Sequence, residues 1–285
     1  MKKWNMIIDI INCEDCNCCF LACKDEHVDN DFLPYSSSQP KHVHRWMNIM
    51  RQERGQFPLI DVAYLPKPCM HCDDAPCIKN ALDNAVYKRD DGIVVIDPIK
   101  SKGQKNLLKA CPYGAIWWND EKGIPQKCAF CAHLLTDGWQ KPRCVQACPT
   151  GALRMLHVED SEMAKIIQDE KLEVLHPEYQ TKPRVYYKNL YRYMKCFIAG
   201  SVVSAHDGIE DCVSGETVVL SRDGKKLQET KTDCFGDFKF DNLDPDSGLY
   251  AISIGSQEKA VVKEFNLENS CSLGNIRQGT QKSQG

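Results

Sequence analysis

The spacing of the cysteines constrains this chain more than any other feature of its sequence. Seventeen of the 285 residues are cysteine, and the first thirteen lie between Cys13 and Cys148. Most of these occur as C-x2-C pairs, and two are followed directly by proline, at Cys111-Pro112 and Cys148-Pro149. Ferredoxins repeat such pairs and end them with Cys-Pro, whereas disulfide-stabilised domains rarely do. We therefore predict a metal-binding protein.

Two of the cysteine runs complement each other. The first has the spacing C-x2-C-x2-C-x3-C, and the last has the spacing C-x2-C-x12-C-x3-C-P. In two-cluster ferredoxins, three close cysteines hold one [4Fe–4S] cluster and the fourth cysteine of the run reaches the other cluster. The same exchange predicts two clusters here. Their expected ligands are Cys13, Cys16, Cys19 and Cys148 for one, and Cys128, Cys131, Cys144 and Cys23 for the other.

A third run lies between these two and predicts one further cluster. Its expected ligands are Cys69, Cys72, Cys77 and Cys111. A complete second ferredoxin unit would carry a fourth cluster, with its ligands at positions 81, 101, 104 and 107. Those positions hold Ala81, Ser101, Gln104 and Leu107. Because all four ligands are replaced together, the sequence predicts three [4Fe–4S] clusters on twelve cysteines.

Zinc is the alternative metal, since C-x2-C pairs also build tetrahedral zinc sites. Triplets of cysteine with a remote Cys-Pro fit clusters better than two isolated pairs. Five cysteines remain outside the predicted ligand set, and we expect them to be buried free thiols. Disulfides between them would require export to an oxidising compartment. The five are Cys18, Cys196, Cys212, Cys234 and Cys271.

Several other residues near the cysteines invite a functional interpretation. His71 stands between two predicted ligands and is expected to pack or form hydrogen bonds, because cysteines already fill the site. Four basic residues adjoin ligands in the sequence. They either raise cluster potentials by stabilising the reduced state or are solvated surface charges. These are Lys24, Lys67, Lys127 and Arg143.

The order of the segments predicts an α+β chain with two domains. Residues 1–195 are expected to form a double ferredoxin-like domain with an insertion at 24–68 and a C-terminal arm at 160–195. Residues 196–277 contain short alternating runs separated by turn signals, which predict a small all-β sandwich or barrel. Residues 278–285 are expected to be a flexible tail. A hairpin at 85–97 and a helix from Asp160 or Ser161 to about Leu172 are also expected.

Composition narrows the function further. The net charge of −3 favours neither nucleic acid nor an anionic membrane. The sequence contains no run of about 18 apolar residues, so no transmembrane helix is expected. No signal peptide or twin-arginine motif is evident, and a cytoplasmic location is therefore expected. No acid–base pair, nucleophile elbow or phosphate loop stands out. We therefore expect bond-making chemistry to occur in another chain.

With this motif order, residues 5–195 resemble the iron–sulfur β subunits of the dimethyl sulfoxide reductase family of molybdopterin enzymes. Most of those subunits have four clusters, so this chain departs from the pattern. The chain is more specifically similar to the small subunits of pyrogallol–phloroglucinol transhydroxylases. The similarity lies in the absent fourth cluster, the segments 44–49 and 181–192, and the appended β region. That resemblance spans nearly the whole chain. The C-terminal region is similar to transthyretin-like or carboxypeptidase-regulatory-like modules.

The resemblance implies a large catalytic partner that holds molybdenum or tungsten on two pyranopterins and acts on a phenol by transhydroxylation, hydroxylation or dehydroxylation. This chain would then be a non-catalytic electron-transfer subunit. Two alternatives remain open from the sequence. One is a subunit of a respiratory oxyanion or sulfur-compound reductase, and the other is a free carrier of the polyferredoxin type.

Overall fold

The computed structural model describes residues 1–206, 209–255 and 261–278. Within these residues the fold combines many short strands with few short helices, and it is therefore of the α+β class. The chain divides into two compact units. Unit 1 contains residues 1–51 and 64–190, and unit 2 contains residues 52–63 and 191–285. The domain boundary expected between residues 195 and 196 stays a prediction.

Unit 1 is built around a three-stranded sheet. Its central strand, β1 (Lys3–Asp9), pairs antiparallel with β8 (Leu153–Val158) and parallel with β9 (Val185–Lys188). The apolar run in β1 is buried on both faces, which suits a central strand. The sheet therefore brings the start of the chain beside the segment that follows Cys148 and beside the predicted arm.

The cysteines of unit 1 lie in short helices, hairpins and the loops between them. The helices are α1 (Cys18–His27), α2 (Pro76–Lys79), α3 (Asn106–Ala110), α4 (Ala132–Thr136), α5 (Arg143–Gln146) and α6 (Asp160–Asp169), with a 3₁₀ turn at Pro177–Tyr179. The hairpins are β2 (Asn48–Gln56) with β3 (Leu59–Lys67), β4 (Val86–Lys88) with β5 (Val94–Ile96), and β6 (Trp117–Asn119) with β7 (Ile124–Gln126). The turn of the β2–β3 hairpin belongs to unit 2.

Unit 2 contains two four-stranded sheets after the short helix α7 (Tyr191–Met194). One sheet comprises β10 (Cys196–His206), β11 (Ile209–Cys212), β14 (Asp237–Leu243) and β17 (Cys271–Gln278). The other comprises β12 (Thr217–Arg222), β13 (Lys225–Lys231), β15 (Gly248–Ile254) and β16 (Val261–Leu267). Alternate side chains from both sheets form one buried apolar cluster, as the period of two requires.

Several local predictions are confirmed with shifted ends. The hairpin at 85–97 is present as β4 and β5, and the helix begins at Asp160 but ends at Asp169. Its N-cap is Glu159, so the expected cap is wrong by one residue for Asp160 and by two for Ser161. The predicted tail lies outside the described residues except for Gln278, which ends β17. In the described residues, no helix is both long and apolar enough to cross a membrane.

Candidate metal sites

Unit 1 brings the twelve predicted ligand cysteines together in three groups of four. The first group contains Cys13, Cys16, Cys19 and Cys148. Burial raises the pKa of Cys19 to about 12, and the charges of the other three thiolates add to the rise. Burial also raises the pKa of Cys13, with contributions from Cys148 and Cys16. Cys16 is exposed while Cys19 is buried, so this group lies at the surface of unit 1.

The second group contains Cys23, Cys128, Cys131 and Cys144, and all four are buried. Burial raises the pKa of Cys23 and Cys144 well above the usual thiol range, and the neighbouring thiolates of the group raise both further. Burial likewise raises the pKa of Cys131 to about 12. This is the most enclosed of the three groups.

The third group contains Cys69, Cys72, Cys77 and Cys111. Its members line one cavity, whose other walls include Pro76, Val94, Pro112, Ile116 and Lys127. Burial raises the pKa of Cys72 to about 12 and that of Cys77 to about 11, and the charges of the other group members contribute. The lining of the cavity is apolar apart from its thiols, Tyr113 and one lysine.

The three groups form a series. Cys19, from the first group, adds to the raised pKa of Cys144 in the second group. Burial raises the pKa of Cys128, in the second group, to about 11, and the charge of Cys69, from the third group, adds to that rise. The second group is therefore adjacent to both of the others. The helix α1 makes one of these connections directly, because Cys19 and Cys23 lie one turn apart on it and point to different groups.

The cysteine loops contain residues with left-handed backbone and peptide N–H groups that lie close to sulfur. Asn17, Phe130 and Cys131 all have positive φ values between 51° and 60°. The Phe130 N–H donates to Cys128 Sγ at 3.4 Å, and the Ala115 N–H lies 3.5 Å from Cys111 Sγ. Amide donors of this kind stabilise thiolate rather than thiol. The loops are thus shaped to hold negative sulfur.

Two polar side chains reach the sulfurs of the second group. Gln39 Nε2 donates to the Cys23 carbonyl at 3.1 Å and lies 3.9 Å from Cys23 Sγ. His27 Nε2 lies 3.8 Å from Cys131 Sγ. Burial lowers the pKa of His27 to about 3, so the ring is neutral at physiological pH. Sequence reasoning missed both contacts, because both residues lie in the region between cysteine runs.

His71 packs and forms a hydrogen bond, as predicted. It is fully buried, its ring stacks on Phe130 with centroids 3.7 Å apart, and its Nδ1 accepts the Val94 N–H at 3.0 Å. Of the four basic residues beside ligands, Lys127 is buried, whereas Lys24, Lys67 and Arg143 are half-buried. The surface-charge interpretation is therefore wrong for Lys127.

Three of the four positions of a fourth cluster are buried, and one of these three forms hydrogen bonds within the protein. Ser101 and Leu107 are completely buried. The Gln104 side chain accepts the Leu82 N–H at 3.0 Å and donates to the Lys100 carbonyl at 2.9 Å. Gln104 therefore fastens the segment that follows Cys77 to the segment that precedes Cys111.

None of the seventeen cysteines, all of which the structure describes, forms a disulfide. Among the five outside the three groups, Cys196 is buried, and Cys18 and Cys271 are half-buried. Cys212 and Cys234 are exposed, so the expectation that all five are buried is wrong for these two. They lie at the end of β11 and in the turn before β14, where side chains face outward.

The donor sets fit iron–sulfur clusters. Burial raises the pKa of cysteines in each group, so the free thiols keep their protons at neutral pH. Bound metal ions would supply the positive charge that holds these sulfurs in their deprotonated form. In the described part of the chain, no three His, Cys, Asp or Glu side chains converge on the position of a single metal ion.

Comparison with known proteins decides the family. The 4Fe-4S dicluster domain matches residues 60–158. The small subunit of pyrogallol hydroxytransferase from Pelobacter acidigallici is 47% identical over 264 residues, which cover 91% of this chain and 93% of that protein. The chain belongs to the iron–sulfur small subunits of the molybdopterin oxidoreductases. As a member of that family it is an electron-transfer subunit with a 4Fe-4S domain.

Subunits of other oxidoreductases match over a smaller part of the chain. A subunit of the sulfite dehydrogenase from Allochromatium vinosum is 32% identical, covering 66% of this chain and 83% of the relative. The iron–sulfur subunit of a putative dimethyl sulfoxide reductase from Halobacterium salinarum is also 32% identical, covering 66% of this chain and 80% of the relative. These relatives are subunits of larger oxidoreductases.

Proposed function

We propose that this subunit carries three [4Fe–4S] clusters, each held by one of the three cysteine groups, and passes electrons to or from a partner that acts on phenols. The observation that carries the proposal is the grouping of the twelve cysteines. The sets predicted from spacing are supported by the mutual effects of the cysteines on one another's pKa in two groups and by the shared cavity of the third. The filled fourth position around Gln104 supports a count of three.

The proposed partner is a large subunit with molybdenum or tungsten on two pyranopterins. Support for a phenolic substrate comes from the pyrogallol hydroxytransferase relative, which matches 91% of this chain. The sulfite dehydrogenase and dimethyl sulfoxide reductase relatives each match 66%. The proposed architecture is a double ferredoxin-like domain followed by a transthyretin-like β domain, and the two four-stranded sheets of unit 2 support its second half.

Bound clusters would supply one-electron chemistry. The chain's own residues would set how readily each site accepts the electron. Burial of the second group excludes water from it, while His27 and Gln39 place polar nitrogen near two of its sulfurs. Hydrogen bonds to sulfur favour the more negative, reduced state. The exposed side of the first group, at Cys16, is the natural point of exchange with a partner.

The alternative proposal keeps this chain as an electron-transfer subunit and changes the partner to a respiratory reductase of an oxyanion or sulfur compound. The relatives from Allochromatium and Halobacterium favour it. A free carrier is the weaker alternative, because the matched relatives are subunits of larger assemblies.

Metal analysis of the native complex tests the proposal. We expect about twelve iron atoms on this chain, beyond those of its partner, together with about one molybdenum or tungsten. Turnover of pyrogallol-type phenols by that complex would support the proposed substrate class. Iron without molybdenum or tungsten would still support the clusters but would contradict the proposed partner. Zinc in place of iron would overturn the cluster assignment.

A further inference from the structure

Lys127 occupies an unusual position for a lysine. It directly follows β7 and directly precedes Cys128, and only 4% of it is exposed. Lysine is almost never fully buried unless its charge is compensated, because removing an ammonium from water is costly. Its burial between strand and cysteine loop therefore needs a physical explanation.

The neutral partners of Lys127 do not provide that compensation. Its Nζ donates to the Val94 carbonyl and, at 3.0 Å, to the Cys128 carbonyl. Among the ion pairs formed within residues 1–206, 209–255 and 261–278, none includes Lys127. Two carbonyls orient an ammonium without neutralising it.

Lys88 provides an instructive contrast within the same unit. Its Nζ also donates to a carbonyl beside a cysteine, that of Cys72 at 2.9 Å. However, Lys88 pairs with the carboxylate of Asp73 at 2.8 Å and is only partly buried. The charge of Lys88 is thus compensated by the protein, and the charge of Lys127 is not.

The negative groups that face Lys127 are cysteine sulfurs. Lys127 lines the same cavity as Cys69, Cys72, Cys77 and Cys111. Its Nζ also donates to the carbonyl of Cys128, which belongs to the second group, at 3.0 Å. One ammonium therefore lies beside two cysteine groups.

We infer that Lys127 is a buried counter-cation shared by the clusters of the second and third groups, and that it raises their reduction potentials, most strongly for the third. The inference rests on the proposed function, since it needs both clusters. One-electron reduction makes a cluster more negative. A fixed positive charge in a poorly solvated cavity stabilises that added charge more than it stabilises the oxidised state. Lys127 thus acts on the clusters indirectly, through the electrostatic field of its charge.

The test compares Lys127→Met and Lys127→Gln with Lys109→Gln in the native complex. Methionine preserves most of the side-chain length without the charge, and glutamine preserves a donor for the two carbonyls. Lys109 is exposed and lies two residues before Cys111, so its removal changes the net charge equally but in solvent. The measurement is a redox titration monitored by electron paramagnetic resonance, with iron content measured for each variant.

We expect both Lys127 variants to keep their iron and to lower the third cluster's midpoint potential. At a fixed potential, the ratio of reduced to oxidised cluster should fall about tenfold, which corresponds to about 59 mV for one electron. Lys109→Gln should change that ratio by less than about twofold, because water and salt screen its charge. Equal potentials in wild type and both Lys127 variants would overturn the inference.

If neither Lys127 variant keeps its clusters, Lys127→Arg decides. Iron content restored by arginine supports a required positive charge at this position, and iron still lost overturns the electrostatic role. A wild-type complex without iron–sulfur signals would instead reject the proposed function itself, so the two failures are distinguishable.

Discussion

At the residue scale, the chemistry of a cysteine here depends on its neighbours in space. Cys18 and Cys19 are adjacent in the sequence, yet Cys19 is buried among three other thiols and Cys18 is half-buried at the start of α1. A helix places successive side chains about 100° apart, so the two thiols point in different directions, although Cys18 lies beside Cys16, whose hydrogen bond and charge raise the pKa of Cys18. The two residues therefore form a matched pair for testing the ligand assignment.

We predict that Cys19→Ser removes the cluster of the first group and that Cys18→Ser leaves it in place. Cys19→Ser should lose about four of about twelve iron atoms per chain, because serine is a poor replacement for a thiolate ligand. Iron analysis and the resonance spectrum of the reduced protein measure both effects. Loss of iron from Cys18→Ser, or full iron in Cys19→Ser, would contradict the ligand assignment.

The functional residues that could be predicted from the sequence are those that belong to a local spacing pattern. The predicted ligand sets depend on C-x2-C loops and Cys-Pro turns, which are local. The contacts of His27 and Gln39 with sulfur depend on how the region between cysteine runs folds back, so no local pattern indicates them. For Lys127, the sequence showed its proximity to a ligand but not its burial.

At the element scale, strands with alternating polarity were predictable and strands without it were not. The strands β12 to β16 match predicted alternating runs, whereas β10, β11 and β17 were not predicted. Gly200 interrupts β10, and glycine in a strand interior usually weakens the strand. In the structure, a Cβ at this position would approach the Phe238 ring to 2.9 Å and the Gly274 carbonyl to 3.1 Å. The glycine is there to admit close packing, which only the folded sheet reveals.

An ion-pair network within unit 2 carries an element-scale prediction. Asp61, near the turn of the β2–β3 hairpin, accepts hydrogen bonds from Arg192 at 2.8 Å and Lys239 at 3.2 Å. Burial alone would raise the pKa of Asp61, but the charges and hydrogen bonds of Arg192 and Lys239 outweigh it and hold the pKa below the usual value. Asp61 also lies 3.5 Å from the buried Arg54.

We predict that Asp61→Asn destabilises β14 at pH 7 and that the difference from wild type shrinks under acid. The folded-state pKa of Asp61 is lowered, so its stabilisation is fully present above the unfolded value of about 3.9 and is lost as the pH falls below it. Hydrogen exchange of the β14 amides at pH 7 and at about pH 2, where the pH has fallen well below the unfolded value, measures the effect. Asp246→Asn is the control, because Asp246 is exposed. An equal difference at both pH values would contradict the assigned role.

At the scale of the whole molecule, the three cysteine groups of unit 1 define a direction. The second group adjoins both of the others, through Cys19 with Cys144 and through Cys69 with Cys128. The first group reaches the surface at Cys16, while the second is entirely buried. Electrons that move between the third group and the surface at Cys16 would therefore pass through the second group.

We predict that Cys144→Ser removes the middle cluster and interrupts this route while the clusters at both ends remain. Iron content should fall by about four atoms of about twelve, and the signals of the other two clusters should persist. Stopped-flow reduction of the complex should then show the two end clusters reaching equilibrium with each other at least tenfold more slowly than in wild type. Cys196→Ser is the control, because Cys196 is a buried cysteine of unit 2 outside the three groups. Unchanged equilibration in Cys144→Ser would mean that the series of groups is not the path of the electron, and that burial of the second group serves the fold of unit 1 alone.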